Sequence, residues 1–416
     1  MTRARNEAWR AADVGVDRAA QVRAAQRGLY WPSVGMVGLY AHLNDRLFVD
    51  LSSLRSLLLA LNPGAPIPPL TATVLKNDPV KTSLSASWTV FAGGRILAAN
   101  RAAQAGLDVA GAERRDAQQG IITELVDRYF KRRLAAEVLE VRRQALATLD
   151  RHRDDARRLQ GAGQIARTEE LRAEVAWSEA DRDYRKALRD VDLASAALRA
   201  ILGTDDSVTP ASELPTAAAL QTIDQYLSAA DTSNPDLARL AALQRQSHQG
   251  IAAARAEYLP VVRLFGQQEL FQARLNSTTD PQWIVGVELK WALFDGFGRE
   301  HRLSAARLSE QEVSLRREGA QRDIRTLVQS RYDDYASALE QYSSLQSSLD
   351  LATESLRSEQ KAFAEGVGTS LSVVDAELSL SRIQVGRLTA QYDMIVALAR
   401  LLEASGQSDR ILEYIQ

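Results

Sequence analysis

Among its 416 residues the chain has no cysteine. Disulfides, thiolate metal sites, a cysteine nucleophile and a lipid-bearing N-terminal cysteine are thereby excluded. It also lacks any run of about 18 apolar residues, the length a helix needs to cross a bilayer. The nearest approach, LRSLLLAL at Leu54–Leu61, is too short and carries Arg55. A helical membrane span is ruled out. A surplus of positive charge is missing too: the formal net charge is −2, whereas a nucleic-acid binder needs excess Lys and Arg to neutralise phosphates. The opening MTRARNEAW has no apolar stretch of the kind a secretory signal carries. Either the protein stays in the cytosol or its upstream end lies outside this chain.

Catalytic and metal signals are equally sparse. The four histidines, at 42, 152, 248 and 301, show no metal spacing and read as isolated surface side chains. The glycines at Gly366 and Gly368 lack the Lys-Ser/Thr of a P-loop and fit a helix reversal better. The run RHRDDARR mixes both signs and reads as a solvated helix face. An enzyme built on a helical bundle would need converging acid, base or metal groups, and none emerges.

What the chain does contain is a repeat. WTVFAGG at Trp88–Gly94 returns as WALFDGFG at Trp291–Gly298, with Trp, Phe and Gly each displaced by 203 residues. At that offset Ile121 meets Ile324, Tyr129 meets Tyr332, Gly163 meets Gly366 and Gly203 meets Gly406. Upstream the offset is 228, pairing Asn6 with Asn234, Tyr30 with Tyr258 and Pro32 with Pro260. The difference of 25 residues must be an insertion between Pro32 and Trp88. Residues 51–79, rich in Leu, Pro and Gly, are the candidate; LRSLLLALNPGAPIPPL within them reads either as a short surface helix or as an irregular loop.

Each half then reads as helix, two strands, long helix, shorter helix. The first repeat, 1–203, is expected to hold a helix at 6–31, a strand hairpin at 33–91 with the inserted loop, a long helix at 95–160 and a returning helix at 164–203. A linker at 204–233 follows. The second repeat, 234–406, is expected to hold a helix at 235–259, a hairpin at 261–294, a long helix at 299–365 and a helix at 369–405, before a tail at 407–416. Asn234-Pro235 is a helix start signal. In SLSASWTVF and IVGVELKWALF the apolar residues alternate with polar ones, the mark of strands with one apolar and one wet face. From Arg95 to Gln160 no proline interrupts a three-and-four period, and at 1.5 Å per residue such a helix is about 100 Å long.

Strands of roughly ten residues with an apolar face and terminal Trp and Phe match the staves of a membrane barrel. Four strands cannot close one, and an open edge in lipid leaves backbone groups unpaired. Several chains must therefore contribute to a shared sheet.

On the YWP/YLP and WTVFAGG/WALFDGFG boundaries, the tip motif GVGTSLSVVDAEL and the helix ends AILG and EASG, the chain resembles the TolC-like outer-membrane efflux proteins over almost its whole length. The resemblance implies an α+β membrane protein with long antiparallel coiled-coil helical hairpins. Four strands per chain would enter a trimeric, 12-stranded barrel. It implies a passive exit duct, without cofactor, metal or catalysis, that works with a periplasmic adaptor and an inner-membrane pump, in the outer membrane of a Gram-negative bacterium and extending into the periplasm. Trp88, Phe91, Trp291 and Phe294 would be the aromatics at the membrane interface. Gly161, Gly163, Gly366 and Gly368 would shape the adaptor-contacting reversals, and Thr369, Ser372 and Asp375 the periplasmic aperture. Two departures from the family pattern stand out. The expected signal peptide and preceding residues are absent, and Asn6 aligned to the helix start at Asn234 suggests an N-terminal truncation. The tip motif has Gly368 where some members have a latch Arg, and Ser372 where an aperture Asp is frequent. Asp375 has a second reading, as an acid near a helix start that favours the dipole. A rival reading of another class is a soluble coiled-coil scaffold, which leaves the strands without a purpose.

Overall fold

The computed structural model describes residues 6–45, 47–64, 66–68, 70–216, 219–275 and 282–415. Their contacts divide into two compact units, each drawing on both sequence repeats. Unit 1 comprises Met1–Ala19, Leu107–Leu243 and Val313–Gln416; unit 2 comprises Ala20–Gly106 and Gln244–Glu312.

The elements follow one another as α1 (Glu7–Arg27), β1 (Ser33–Tyr40), β2 (Leu47–Asp50), α2 (Ser52–Leu61), β3 (Thr71–Phe91), α3 (Arg95–Gly161), α4 (Arg167–Leu202), α5 (Ile223–Ser233), α6 (Pro235–Ala256), β4 (Val261–Leu275), β5 (Trp283–Lys290), α7 (Gly298–Ala364) and α8 (Ser370–Ala404). Short 3-10 turns occupy Gly28–Tyr30 and Ser408–Glu413. Helices α3 and α7 are each 67 residues long. None of the described helices is apolar enough over 18 residues to cross a membrane, a statement that does not bear on strands.

The first part of the insertion is helix α2, the short-helix alternative for that stretch, whereas its second part departs from the loop expected at 51–79, because β3 begins at Thr71. The short β2 pairs with this early stretch, bringing Asp50 opposite Thr71 and Leu47 opposite Leu75. The sheet therefore has five strands, four of them in the order β1-β3-β4-β5, with β2 an extra partner of β3. The second hairpin also ends earlier than expected: β5 stops at Lys290, so Trp291 and Phe294 lie just past the strand.

The repeat reappears as shared chemistry. Asn6 caps α1 by accepting the amide of Trp9 at 3.0 Å, and Asn234 caps α6 by accepting those of Asp236 at 2.9 Å and Leu237 at 3.3 Å. The other side of each amide donates to the end of a returning helix, Asn6 to the carbonyl of Ile201 at 3.1 Å and Asn234 to that of Ala404 at 2.9 Å. Both asparagines are buried. A buried amide with its donor and acceptor sides engaged pins a helix start to a helix end.

Unit 1 holds two apolar clusters. The larger gathers Phe130, Tyr226, Val328, Tyr335, Leu398 and Leu402 from α3, α5, α7 and α8. The smaller gathers Ala156, Ala173, Leu356, Phe363, Val373 and Leu380 from α3, α4, α7 and α8 near the hairpin ends. Small residues at this seam let helix backbones approach closely.

Candidate functional site: the two-faced sheet and the hairpin ends

In unit 2 the register sorts the sheet into two faces. Leu84, Ala86 and Trp88 lie opposite Gln268, Gly266 and Leu264, and these in turn lie opposite Trp283, Val285 and Val287. Val34 and Met36 of β1 join the same face opposite Ala86 and Leu84. Along β3 the apolar residues are exposed and the intervening Ser83, Ser85, Ser87 and Thr89 are half-buried. Val285 is 69% exposed and Val287 66%. An apolar sheet face this open is out of place in water and suits lipid.

The other face is mixed: it carries the paired polar groups of the sheet alongside the exposed Val37, Leu39 and Ile284. Ser33 and Ser87 hydroxyls stand 3.0 Å apart, Lys81 pairs with Glu269 at 3.0 Å, and Arg263 pairs with Glu288 at 3.5 Å. These pairs sit directly or nearly opposite across the ladder, the arrangement in which opposite charges support strand pairing. On this face the ring of Phe265 lies where a Cβ on Gly286 would stand 2.9 Å from it, so the glycine makes room for the aromatic. Strands β1 and β5 end the sequence of four, each with one side unpaired among the described residues.

The expected interface aromatics all stand at strand ends and are exposed. Trp88 donates its indole N–H to the carbonyl of Tyr30 at 2.9 Å, and Trp291 does the same to Tyr258 at 3.2 Å. Phe294 meets Phe297 edge-on with ring centroids 5.5 Å apart. Phe91 follows a register irregularity at Thr89 and Phe91.

At the hairpin ends, Gly163 has φ 76° and Gly366 φ 79°. Each lies in a left-handed reversal: the amide of Gln164 reaches the carbonyl of Leu159 at 2.9 Å, and that of Val367 reaches Ala362 at 3.0 Å. This is the hydrogen-bond pattern that ends helices on a glycine. Gly161 has open space around it, so sterics do not demand a glycine there. Gly368 is demanded: a Cβ would come within 2.8 Å of the Phe363 amide nitrogen.

The three expected aperture residues have different surroundings. Thr369 is the N-cap of α8, its hydroxyl accepting the amide of Ser372 at 3.2 Å and standing 2.9 Å from the Ser372 hydroxyl. Asp375 is exposed one turn further on, beyond reach of that cap.

The sequence reading of the histidines needs correction at one position. His152 is buried, 6% exposed, with Nε2 at 2.7 Å from the Ser370 hydroxyl and its ring against Phe363 at 4.6 Å. Burial lowers its pKa, while Asp155 and Glu169 act in the opposite direction. The amide of Ser370 donates to Glu169 at 2.8 Å. Glu377, which the sequence reading passed over, is 4% exposed, and burial pushes its carboxyl up to about 7, with Arg151 pulling the other way. The signal was present in the spacing: Val373, Glu377 and Leu380 follow the buried period of α8, as Leu149, His152 and Ala156 follow that of α3.

The comparisons with known proteins agree with this geometry. CyaE of Bordetella pertussis is 28% identical over 283 residues, 64% of this chain and 58% of that protein's length. The solved structure of CusC superposes with a TM-score of 0.79 at 17% identity, covering 97% of this chain and 90% of the other. The outer membrane protein VceC of Vibrio cholerae gives 0.77 at 17% identity, covering 98% and 94%. The model of the outer membrane efflux protein family matches residues 1–204 and 226–407. With a sheet sided for lipid, duplicated reversals and a family match over both repeats, the chain belongs to the outer membrane efflux proteins.

Proposed function

We propose that three copies of this chain form an outer-membrane exit duct, the last component of a tripartite efflux or type I secretion system in a Gram-negative bacterium. The observation that carries this reading is the sheet of unit 2, with one apolar, exposed face, polar pairs concentrated on the other, and no partner for the outer sides of β1 and β5 among the described residues. In lipid an open edge is untenable, and a closed sheet of four long strands from each of three chains removes it. The apolar face then meets lipid and the other face lines the lumen. The reversals at Gly163, Gly366 and Gly368 are the surfaces offered to a periplasmic adaptor, which joins the duct to an inner-membrane pump. Asp375, with Thr369 and Ser372 beside it, lines the periplasmic aperture. The duct is passive and needs no cofactor, because the pump supplies the energy and selects the cargo.

The test is the mass of the protein in mild detergent. Light scattering is expected to report a trimer that needs detergent to stay dispersed. A monodisperse monomer that stays soluble without detergent would favour the scaffold reading instead.

A further inference from the structure

Helix α8 buries one face in unit 1, and Ser370, Val373, Glu377, Leu380 and Ser381 lie along it. Two of the three polar members have partners, Ser370 in His152 and Ser381 in the Arg142 guanidinium at 2.9 Å. Glu377 is different. Its Oε2 has no hydrogen-bond partner among the described residues, although the side chain is almost wholly enclosed. An ionised carboxylate in such a place is costly, and the neutral acid is not.

The charged groups that act on this stretch stand on α3 and α4. On α3, Arg151 attracts the carboxylate, Arg142 is engaged by Ser381 and lies 3.7 Å from Asp183 of α4, and Asp155 acts on His152. On α4, Glu169 receives the amide of Ser370 and Glu174 pairs with Arg157 of α3 at 2.6 Å. Helix α7 brings Ala352, Leu356 and Phe363 to the cluster, with Leu349 packed against it. No cation is in hydrogen-bond contact with the Glu377 Oε2 among the described residues.

We propose that Glu377 is a protonation-controlled latch on the packing of α8 against α3 near the hairpin ends. As the neutral acid it lets the seam close. When its proton leaves to solvent, the seam loosens, because the carboxylate is better hydrated outside it. A rise of pH through neutrality therefore frees the second hairpin end, which, on the duct reading above, widens the periplasmic mouth. His152 sets the acid limit: it is neutral in the closed seam and takes a proton most readily when the seam opens.

Hydrogen exchange of the purified, detergent-solubilised protein tests the latch directly, with E377Q as the permanently neutral isostere and E377L as an apolar control. The readout is protection across α8, corrected for the intrinsic pH dependence of exchange. The His152 contribution is common to wild type and E377Q and cancels in their ratio. With a carboxyl at about 7 in the seam against 4.5 in water, opening of the wild type relative to E377Q should rise about tenfold between about pH 6 and about pH 8. Equal pH dependence in wild type and both variants would overturn the latch.

Planar-bilayer conductance over the same range tests the coupling to the mouth. Wild-type conductance should rise with pH and that of E377Q should not. A shifted exchange profile beside a pH-flat wild-type pore would overturn the coupling. A protein that forms no pore at any pH would refute the duct itself, while the exchange result would still stand or fall on its own.

Discussion

The indole N–H of Trp88 donates to the backbone carbonyl of Tyr30 at 2.9 Å, fastening the end of β3 to the turn that enters β1. Trp291 repeats the bond to Tyr258, 203 residues further on for the donor and 228 for the acceptor. An exposed indole with its polar edge satisfied by a carbonyl and its rings free is suited to the boundary between lipid and water. The duplicated motif thus closes the same turn in both repeats, and on the proposed duct reading it would also stand at the membrane interface.

Replacing Trp291 separates these roles. Trp291→Phe keeps the apolar body and loses one hydrogen bond, worth about 1 kcal/mol, so trimer yield should be close to wild type. If this end faces lipid as proposed, Trp291→Asp places a charge there at a cost of up to about 2–4 kcal/mol that depends on depth. Heat-resistant trimer on gels should fall markedly for the Asp variant, and wild-type assembly of that variant would argue against the interface position.

Asp375 is exposed beyond the capped turn of α8. Three copies around one axis would make an acidic ring that attracts cations. Asp375→Asn should reduce cation selectivity and block by multivalent cations in planar bilayers. Trimer yield should not change, since an exposed acid near a helix start contributes only about 0.3–1 kcal/mol. Unchanged selectivity and block would leave Asp375 as a helix-start residue.

The Asn234 amide links the start of α6 to the end of α8, donating to Ala404 and accepting two amides of its own helix. Asn234→Ala removes the cap and orphans a buried carbonyl, so unit 1 should lose about 1–3 kcal/mol. Asn234→Asp should retain the cap and lose the donor, giving an intermediate denaturation midpoint. Equal midpoints for all three proteins would show that the stitch carries no stability.

The pH dependence of stability follows from two buried groups with opposite signs. Glu377 is raised to about 7 from 4.5, so the folded state holds a proton that the unfolded chain releases first. Its contribution falls as pH rises between those values and is constant above, a loss of about 3 kcal/mol at most. His152 is lowered from 6.5 by burial, so its contribution falls as pH drops below 6.5. Below 6.5 the two groups oppose each other, and between 6.5 and about 7 only Glu377 acts, so the midpoint should fall there. E377L should remove that fall, and His152→Phe should leave a midpoint that keeps rising as pH drops toward 4.5.

Gly368 approaches the Phe363 amide too closely for any Cβ. Gly368→Ala should open the second reversal and raise its cleavage by protease, whereas Gly161→Ala, with open space around it, should leave the first reversal resistant. Equal protection in both variants would contradict the packing described.

Much was legible in the sequence because it rests on local rules. Trp-x-x-Phe-x-Gly at a constant spacing announced the duplication, alternation announced two-faced strands, and the glycines at 163 and 366 announced reversals that only a positive φ completes. Periodicity alone, however, sees a loop wherever alternation is irregular. It therefore missed that residues from Thr71 onward extend β3, since their partner is the distant β2, a pairing chosen by register. It also placed Trp291 inside a strand that ends one residue earlier.

The same limit governed the hairpin ends. The motif after Gly366 marked Thr369, Ser372 and Asp375 by type and position, but a cap hydroxyl and an exposed carboxylate differ only in what surrounds them. His152 and Glu377 were unremarkable as letters. Only the packing of α3, α4, α7 and α8 removed water from both and left a Glu377 oxygen without a partner. Sequence by itself determined the repeat, the strand faces and the turns, because these depend on neighbours along the chain. Tertiary structure decided which polar groups lost their water, because burial is set by side chains that arrive from far away.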